Sequence, residues 1–250
     1  MRSAWGRSIR SEACVPVAQP LAKSAMPIPL VVFDLDGTLI DTAPDLVHTL
    51  NTILAAEGLP PVPFAHARNM IGGGARMLIE RGLAADGRAS GRDEVDRLYR
   101  DFVAHYGEHI ADRSRPFPGL EAALDHLARA GWRFAVCTNK LEGLSLRLLD
   151  MLGLAGRFDA ICGQDTFGVQ KPHPDILLHT IRRAGGIPGR SIMVGDSAND
   201  VNVARAAKVP VIAVEFGYTE VPVTQLGADR IIDDFAELPA AVFELVGRQT

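Results

Sequence analysis

Short apolar runs that each end in a polar or glycine residue restrict the fold of this chain more than any other feature. The first run, Leu30 to Phe33, leads directly into a cluster of acids. A short apolar run rich in β-branched residues that stops at turn-forming or polar residues is typical of a buried strand. The sequence therefore predicts strands at Leu30 to Phe33, Phe134 to Cys137, Ala160 to Cys162, Ile192 to Val194, Val211 to Val214 and Ile231 to Ile232.

Helical patterns lie between most of these predicted strands. Strands that alternate with helices indicate a parallel sheet with helices on both faces, because each crossover between parallel strands needs a long connection. We therefore expect an α/β fold with a doubly wound parallel sheet. The predicted helices are Leu120 to Ala130, Leu141 to Leu152, Pro174 to Ala184, Ala198 to Ala206 and Phe235 to Val246.

One long region interrupts this alternation. From Pro44 to about Ser114 the periodicity is only helical, and the charged, glycine-containing stretch from Asp86 to Arg92 predicts a loop between helices. We expect residues 44–114 to form an inserted helical subdomain. Residues 26–43 and 115–250 are expected to form the α/β core.

The first 25 residues differ from the rest of the chain, because four basic residues accompany one acid and there is no long apolar run. Such a segment is typical of an organelle transit peptide, or it is sequence upstream of a working start at Met26. We expect the second, and residues 1–25 are excluded from the predicted fold.

Charge and composition argue against several classes of function. A net charge of −4 gives no reason to expect nucleic acid or anionic lipid as a partner, since both require a concentrated basic surface. No run approaches the ~20 apolar residues of a membrane span. The cysteines Cys14, Cys137 and Cys162 are too scattered for a disulfide framework or a zinc site. We expect a cytoplasmic protein, and its oligomeric state stays open.

Polar side chains collect where the predicted strands end. Asp34 and Asp36 follow the first strand, Thr138 the second and Asp196 the fourth, while Lys171 lies in a loop before a helix. In an open parallel sheet, ligands bind at the carboxyl ends of the strands. We expect these five residues to form one site.

Asp34 and Asp36 are candidates for both metal binding and catalysis. Strand alternation aims two carboxylates spaced by two toward one side, and with Asp196 they favour a hard cation such as Mg²⁺. An ionised aspartate attacks phosphorus, which makes Asp34 the candidate nucleophile. Asp36 is then the candidate acid and base, so its side chain must be free of the metal. A pair of acids like this, taken alone, is also typical of a solvated turn.

Thr138 and Lys171 fit the binding of a phosphate group. A hydroxyl before a helical segment and a compact positive charge both stabilise phosphate oxygens, although alone they are typical of a helix cap and of a surface lysine. Ser197 and Asp200 are predicted to orient metal-bound water or Lys171 from a second layer. Asp200 also fits a simple first-turn acid.

Taken in order, four motifs resemble those of the haloacid dehalogenase-like hydrolase superfamily: Asp34-Leu-Asp-Gly-Thr38, Thr138-Asn139, Lys171-Pro172 and Gly195-Asp-Ser-Ala-Asn-Asp200. The resemblance covers about residues 29–246 and implies that the helical insert is a mobile cap. It implies Asp34 as nucleophile and Asp36 as acid and base. It also implies Mg²⁺ on Asp34, Asp196 and the main-chain carbonyl of Asp36, and phosphate on Thr138 and Lys171, with Asn139 beside them at the substrate.

Further stretches look like those of the bacterial phosphoglycolate phosphatases. They are Asp41-Thr-Ala-Pro-Asp45, Ile71-Gly-Gly-Gly74, Phe117-Pro-Gly119, Cys137-Thr-Asn-Lys140 and Lys171-Pro-His-Pro-Asp175. This resemblance implies 2-phosphoglycolate as substrate and glycolate as product. Arg76, close behind the glycines, is the candidate that binds the substrate carboxylate, although a solvated helix arginine has the same sequence pattern.

Other functions fit the same motifs. Within the superfamily these are a phosphatase of another small phosphate ester or of pyrophosphate, and a β-phosphoglucomutase-like isomerase. A phospho-acceptor signalling domain also carries a Mg²⁺-bound aspartate on a parallel sheet. The insert and Asp36 favour turnover over storage of phosphate.

Overall fold

The computed structural model of this chain describes residues 28–88, 91–219 and 221–247, so the predictions for residues 1–25 and for Cys14 lie outside the described residues. The strands are β1 (Leu30–Phe33), β2 (Ile40–Asp41), β3 (Arg115–Pro116), β4 (Arg133–Cys137), β5 (Ala160–Cys162), β6 (Ser191–Gly195), β7 (Val211–Val214) and β8 (Arg230–Ile232). The α-helices are α1 (Ala43–Ala56), α2 (Phe64–Arg68), α3 (Ala75–Ala85), α4 (Arg92–Glu108), α5 (Leu120–Arg129), α6 (Glu142–Met151), α7 (Pro174–Arg183), α8 (Ala198–Ala207) and α9 (Leu238–Gly247).

The main sheet has six parallel strands in the order β5-β4-β1-β6-β7-β8. All six predicted strands are confirmed. Because the chain reaches β4 on one side of β1 and β6 on the other, the connections diverge at the carboxyl end of β1. That end is where a ligand site is expected in a sheet of this kind.

Alternate strand residues face two separate hydrophobic cores. Val31 and Phe33 of β1 pack on the side of α5 and α9, whereas Leu30 and Val32 pack on the side of α7 and α8. Side chains on alternate positions of a strand point to opposite faces, so a strand covered by helices on both faces must be apolar throughout. This explains the continuous apolar runs of the sequence and confirms the doubly wound fold.

The region between β2 and β3 is helical, as predicted. Helices α1 to α4 form this insert, and α4 packs against both α1 and α3. Leu50, Leu83, Leu98 and Phe102 are buried between these helices. The described residues of the predicted loop from Asp86 to Arg92 connect α3 to α4 and include the first residue of α4.

A two-stranded antiparallel ribbon carries the chain into and out of the insert. Ile40 of β2 pairs with Pro116 of β3, and Asp41 pairs with Arg115. Beyond the ribbon, the buried Asp45 carboxylate accepts hydrogen bonds from the Ser114 backbone N–H at 2.8 Å and its hydroxyl at 2.7 Å. The ribbon was not predicted, because a two-residue strand shows no periodicity.

Within the part of the chain that the structure describes, none of the helices combines the length and the apolar character that crossing a membrane requires.

Candidate active site

Asp34 lies where β1 ends, at the point where the connections of the sheet diverge. Its backbone N–H donates to the carbonyl of Val194 at 2.9 Å and so continues the ladder by one residue. The chain then turns sharply at Gly37, which has a φ of 86°. A Cβ atom at Gly37 would lie 2.3 Å from Asp196 Oδ2, so a glycine is required both for the turn and for the approach of the third acid.

Three carboxylates meet below this turn. Asp34, Asp196 and Asp200 are buried, and each offers an oxygen within 4.8 Å of the others. Lys171 is also buried, and its Nζ lies 2.8 Å from Asp34 Oδ1 and 2.6 Å from Asp200 Oδ1. One ammonium therefore faces three acids, and when all three are ionised about two negative charges remain for a further cation to balance.

Burial shifts the titration of these groups. Loss of solvent raises the pKa of Asp34 to about 6 and that of Asp196 to about 8, and the nearby Asp200 carboxylate adds to both increases. Burial alone would lower the pKa of Lys171, but Asp200 and Asp34 outweigh it and raise that pKa above its ordinary value. Lys171 therefore stays charged, but its single positive charge does not balance the carboxylates around it.

The donor set fits a hard divalent cation. Asp34 Oδ1 is buried and accepts no aligned hydrogen bond, although Lys171 lies near it. Asp196 uses its two oxygens to accept from the Thr38 hydroxyl at 3.1 Å and the Tyr218 backbone N–H at 2.6 Å, which fixes the carboxylate in place. Carboxylate oxygens held in this way are the ligands that Mg²⁺ prefers.

Asp200 supports the site from behind. Its Oδ2 accepts from the Ser197 hydroxyl at 2.6 Å and from the backbone N–H groups of Ser197 at 3.0 Å and Asp196 at 3.2 Å. Ser197 and Asp200 together form a capping box at the start of α8. The two roles weighed for Asp200 coexist, because its other oxygen holds Lys171.

Thr138 and Asn139 follow β4 and lie beside the acids. Thr138 is buried, and its hydroxyl accepts from the Lys140 backbone N–H at 3.2 Å. The Asn139 side chain pairs with the backbone of Lys171, accepting at 2.9 Å and donating at 3.2 Å. The Asn139 amide therefore fixes the Lys171 loop, and because Asn139 also lines the cavity, its predicted contact with substrate stays a prediction.

Asp36 points away from the acid cluster. Its carboxylate accepts from Lys140 Nζ at 2.9 Å and 3.1 Å, and the same Nζ donates to the Tyr106 hydroxyl at 3.0 Å. This places the Asp36 side chain clear of the candidate cation site, as its predicted acid and base role requires.

The insert covers these residues and leaves a cavity that opens to solvent. Asp34, Asp36 and Thr138 line the core side, and Tyr99 and Phe102 line the insert side. Two polar contacts fasten the insert to the core: Arg68 donates to the Phe216 carbonyl at 2.9 Å, and Asn199 donates to the Gly72 carbonyl at 3.2 Å.

Comparison with known proteins agrees with this geometry. Residues 31–214 match the model of a family described as haloacid dehalogenase-like hydrolase. The chain belongs to the haloacid dehalogenase-like hydrolases. It is 50% identical over 216 residues to a phosphoglycolate phosphatase of Agrobacterium fabrum, covering 86% of this chain and 93% of that one. It is 48% identical to a phosphoglycolate phosphatase of Mesorhizobium japonicum, covering 86% and 95%.

A solved structure described as a predicted phosphoglycolate phosphatase, from Haemophilus somnus, superposes with a TM-score of 0.79 at 31% identity. The superposition covers 86% of this chain and 97% of that chain. The α/β core and the helical insert are therefore shared with this solved structure.

The predicted site residues of this hydrolase converge, with one exception. Arg76 lies in the first turn of α3, where its guanidinium forms an ion pair with Asp96 and packs over the Tyr99 ring, 4.5 Å from the centroid. Its side chain is about half exposed and is not among the residues that line the cavity. This arrangement corresponds to the alternative of a solvated helix arginine. The sequence left both alternatives open because the direction in which a helical side chain faces depends on how the helices pack.

Lys140, Tyr106 and Tyr218 were missed by the sequence analysis. Lys140 stands two residues after Thr138, so its position in the motif was a usable signal. Tyr218 donates to Asp41 Oδ1 at 2.5 Å, accepts from the Ala43 N–H at 3.0 Å and so ties the start of the insert to the loop beside Asp196. Neither tyrosine lies in a motif, so only the tertiary structure reveals them.

Proposed function

We propose that this protein is a Mg²⁺-dependent phosphatase that hydrolyses 2-phosphoglycolate to glycolate and phosphate through a phosphoaspartate on Asp34. The observation that carries the proposal is the buried Asp34 carboxylate, which lies between Lys171 and the acidic cluster and lines the cavity beneath the insert. The names of relatives that are 50% and 48% identical support 2-phosphoglycolate as the substrate.

In the first step, an Asp34 oxygen forms a bond to phosphorus as the bond from phosphorus to the ester oxygen breaks. Asp36 gives its proton to the departing oxygen, so glycolate leaves without an alkoxide charge. In the second step, water attacks phosphorus and Asp36 takes a proton from it. The bond between phosphorus and Asp34 then breaks, which releases phosphate and restores both acids.

Thr138 and Lys171 would stabilise the oxygens of the transferring group. A lysine presents a compact point charge, and Lys171 is held so firmly by Asp200 and Asn139 that it needs no reorganisation during the reaction. Mg²⁺ would be held by Asp34, Asp196 and the main-chain carbonyl of Asp36. When bound, it would neutralise charge on the phosphoryl oxygens and on the crowded carboxylates.

The enclosed cavity supports a small substrate. The insert covers the site, with Tyr99, Phe102 and Val103 above Asp34 and Asp36. Exclusion of water from a site of this kind strengthens the electrostatic contacts to the phosphoryl group. We therefore expect a small ester, such as one with two carbons, to be preferred over larger ones.

A panel of small phosphate esters tests the proposal. The purified protein should hydrolyse 2-phosphoglycolate in the presence of Mg²⁺ with a higher kcat/KM than ethyl phosphate, glycerol phosphates, sugar phosphates or pyrophosphate. Asp34→Asn should be inactive on every ester. A clear preference for another ester would make that ester the substrate in place of 2-phosphoglycolate. Inactivity of the parent protein on all of them would refute the proposed phosphatase activity.

A further inference from the structure

Lys140 is a buried cation on the cavity wall that the proposed chemistry does not use. Its side chain is 5% exposed, and its Nζ lies 2.9 Å from Asp36 Oδ1. A buried ammonium is costly unless ion pairs and hydrogen bonds satisfy it. Its three N–H groups match its three partner oxygens, two on Asp36 and one on Tyr106.

The third partner comes from the insert. Tyr106 is on α4 and is fully buried, with its hydroxyl 3.0 Å from Lys140 Nζ and its ring centroid 4.4 Å from the same atom. Asp36 and Lys140 belong to the core, so the chain of contacts from Asp36 through Lys140 to Tyr106 crosses from core to insert. Moving the insert away would remove the hydroxyl and the ring together.

We propose that Lys140 and Tyr106 are positioning residues that set the Asp36 carboxyl group for proton transfer only when the insert is seated on the core. This inference rests on the proposed function, since it needs Asp36 to act as acid and base. An ammonium with all three donors engaged cannot rotate freely, so it holds the ionised Asp36 carboxylate in one orientation. When one Asp36 oxygen carries the proton, the other can still accept from Lys140 and keep the group in place. Proton transfer requires the donor and acceptor atoms to lie within hydrogen-bonding distance, and small misplacements are expensive.

The dependence on the leaving group tests this role. Phenyl phosphate and p-nitrophenyl phosphate have similar shapes. However, p-nitrophenolate departs readily without a proton, whereas the departure of phenolate depends more strongly on protonation. For both esters, kcat/KM reports the steps up to formation of the phosphoenzyme. Tyr106→Phe keeps the ring and removes the hydroxyl, and it should lower kcat/KM about 10-fold for phenyl phosphate and less than ~3-fold for p-nitrophenyl phosphate.

Lys140→Gln should show the same selectivity with a larger loss on phenyl phosphate. Tyr99→Phe is the matched control, because Tyr99 is another insert tyrosine on the cavity and its ring packs against Arg76. Any loss in Tyr99→Phe should be equal for the two esters. Thermal unfolding of Tyr106→Phe, where a ring of the same volume remains, shows whether the fold is intact.

Equal losses on both esters in a folded Tyr106→Phe would overturn the inference and leave Tyr106 a packing role in the insert. Turnover of both aryl esters but not of 2-phosphoglycolate would refute the proposed substrate alone, and the leaving-group comparison would still decide the role of Lys140. A parent protein inactive on every ester would overturn both.

Discussion

Replacing Lys171 by methionine removes the ammonium that lies among the three clustered carboxylates while keeping a side chain of similar length. Lys171 Nζ lies 2.8 Å from Asp34 and 2.6 Å from Asp200, and its side chain is 1% exposed. The substitution leaves Asp34, Asp196 and Asp200 without compensation. We expect a large loss of both stability and activity.

The size of the loss follows from these contacts. At an effective dielectric constant of about 20, each pair attracts by roughly 6 kcal/mol before the cost of desolvation. Removing one partner of a buried ion pair costs about 3–5 kcal/mol in measured cases. The pKa of Lys171 is raised, so its contribution is complete below the ordinary lysine value of 10.5 and is lost only as the pH rises through the folded value.

Acid should reduce the cost of the substitution. Burial raises the pKa of Asp34 to about 6 even with Lys171 present, so near pH 5 the carboxyl group is protonated and no longer needs the lysine. Urea unfolding in excess chelator should therefore show a loss of about 3–5 kcal/mol near pH 8 and a smaller loss near pH 5. Mg²⁺ should restore part of the stability near pH 8, because it supplies positive charge to the same carboxylates.

Lys208→Met is the control for this experiment, since Lys208 is exposed at the end of α8. It should unfold within about 0.5 kcal/mol of the parent protein. Turnover of p-nitrophenyl phosphate by Lys171→Met should fall at least ~100-fold, as expected when a preorganised charge is lost. A Lys171→Met protein as stable as the parent near pH 8 would refute the view that Lys171 stabilises the acidic cluster.

Three further predictions concern the acids and the insert. Asp34→Asn should retain less than a few per cent of the kcat for p-nitrophenyl phosphate, because an amide is not an anionic nucleophile; substantial turnover would exclude the covalent route. In chelator, the free energy of unfolding of the parent should fall as the pH rises from about 5 to about 8, since the raised pKa values of Asp34 and Asp196 mean that the folded state binds more protons; a flat profile in urea titrations would contradict this. Arg76→Ala should change kcat/KM for 2-phosphoglycolate by less than ~3-fold, because its side chain pairs with Asp96 outside the cavity, whereas a 10-fold loss specific to this ester would restore Arg76 as the carboxylate contact.

The sheet and its catalytic edge could be read from the sequence because each signal is local. An apolar run such as Leu30 to Phe33 is buried on both faces, and the polar residue that follows it marks the carboxyl end of the strand. Parallel strands place these ends at one edge, so Asp34, Thr138 and Asp196 were predicted to meet without any knowledge of distances.

The side chains with which the insert lines the cavity could not be predicted in the same way. Helical periodicity located the insert, but the direction that each side chain faces depends on how the four helices pack. Arg76 and Tyr106 both lie on insert helices; the first pairs with Asp96 outside the cavity and the second reaches Lys140. Charge and proximity to a glycine turn drew attention to Arg76, whereas no motif marked the contact of Tyr106 with the core.

The ribbon of β2 and β3 brings the two connections between the core and the insert together at one place. Because Asp41 and Arg115 are neighbours across the ribbon, a chain that leaves the core at one re-enters it beside the other. Another helical segment whose two ends lie side by side could thus replace the insert at this point, without a change in the register of the main sheet. We expect the covering of this site to be a replaceable module, exchangeable between related chains by splicing at Asp41 and Arg115, while the cluster of Asp34, Asp196 and Asp200 beneath it stays the same.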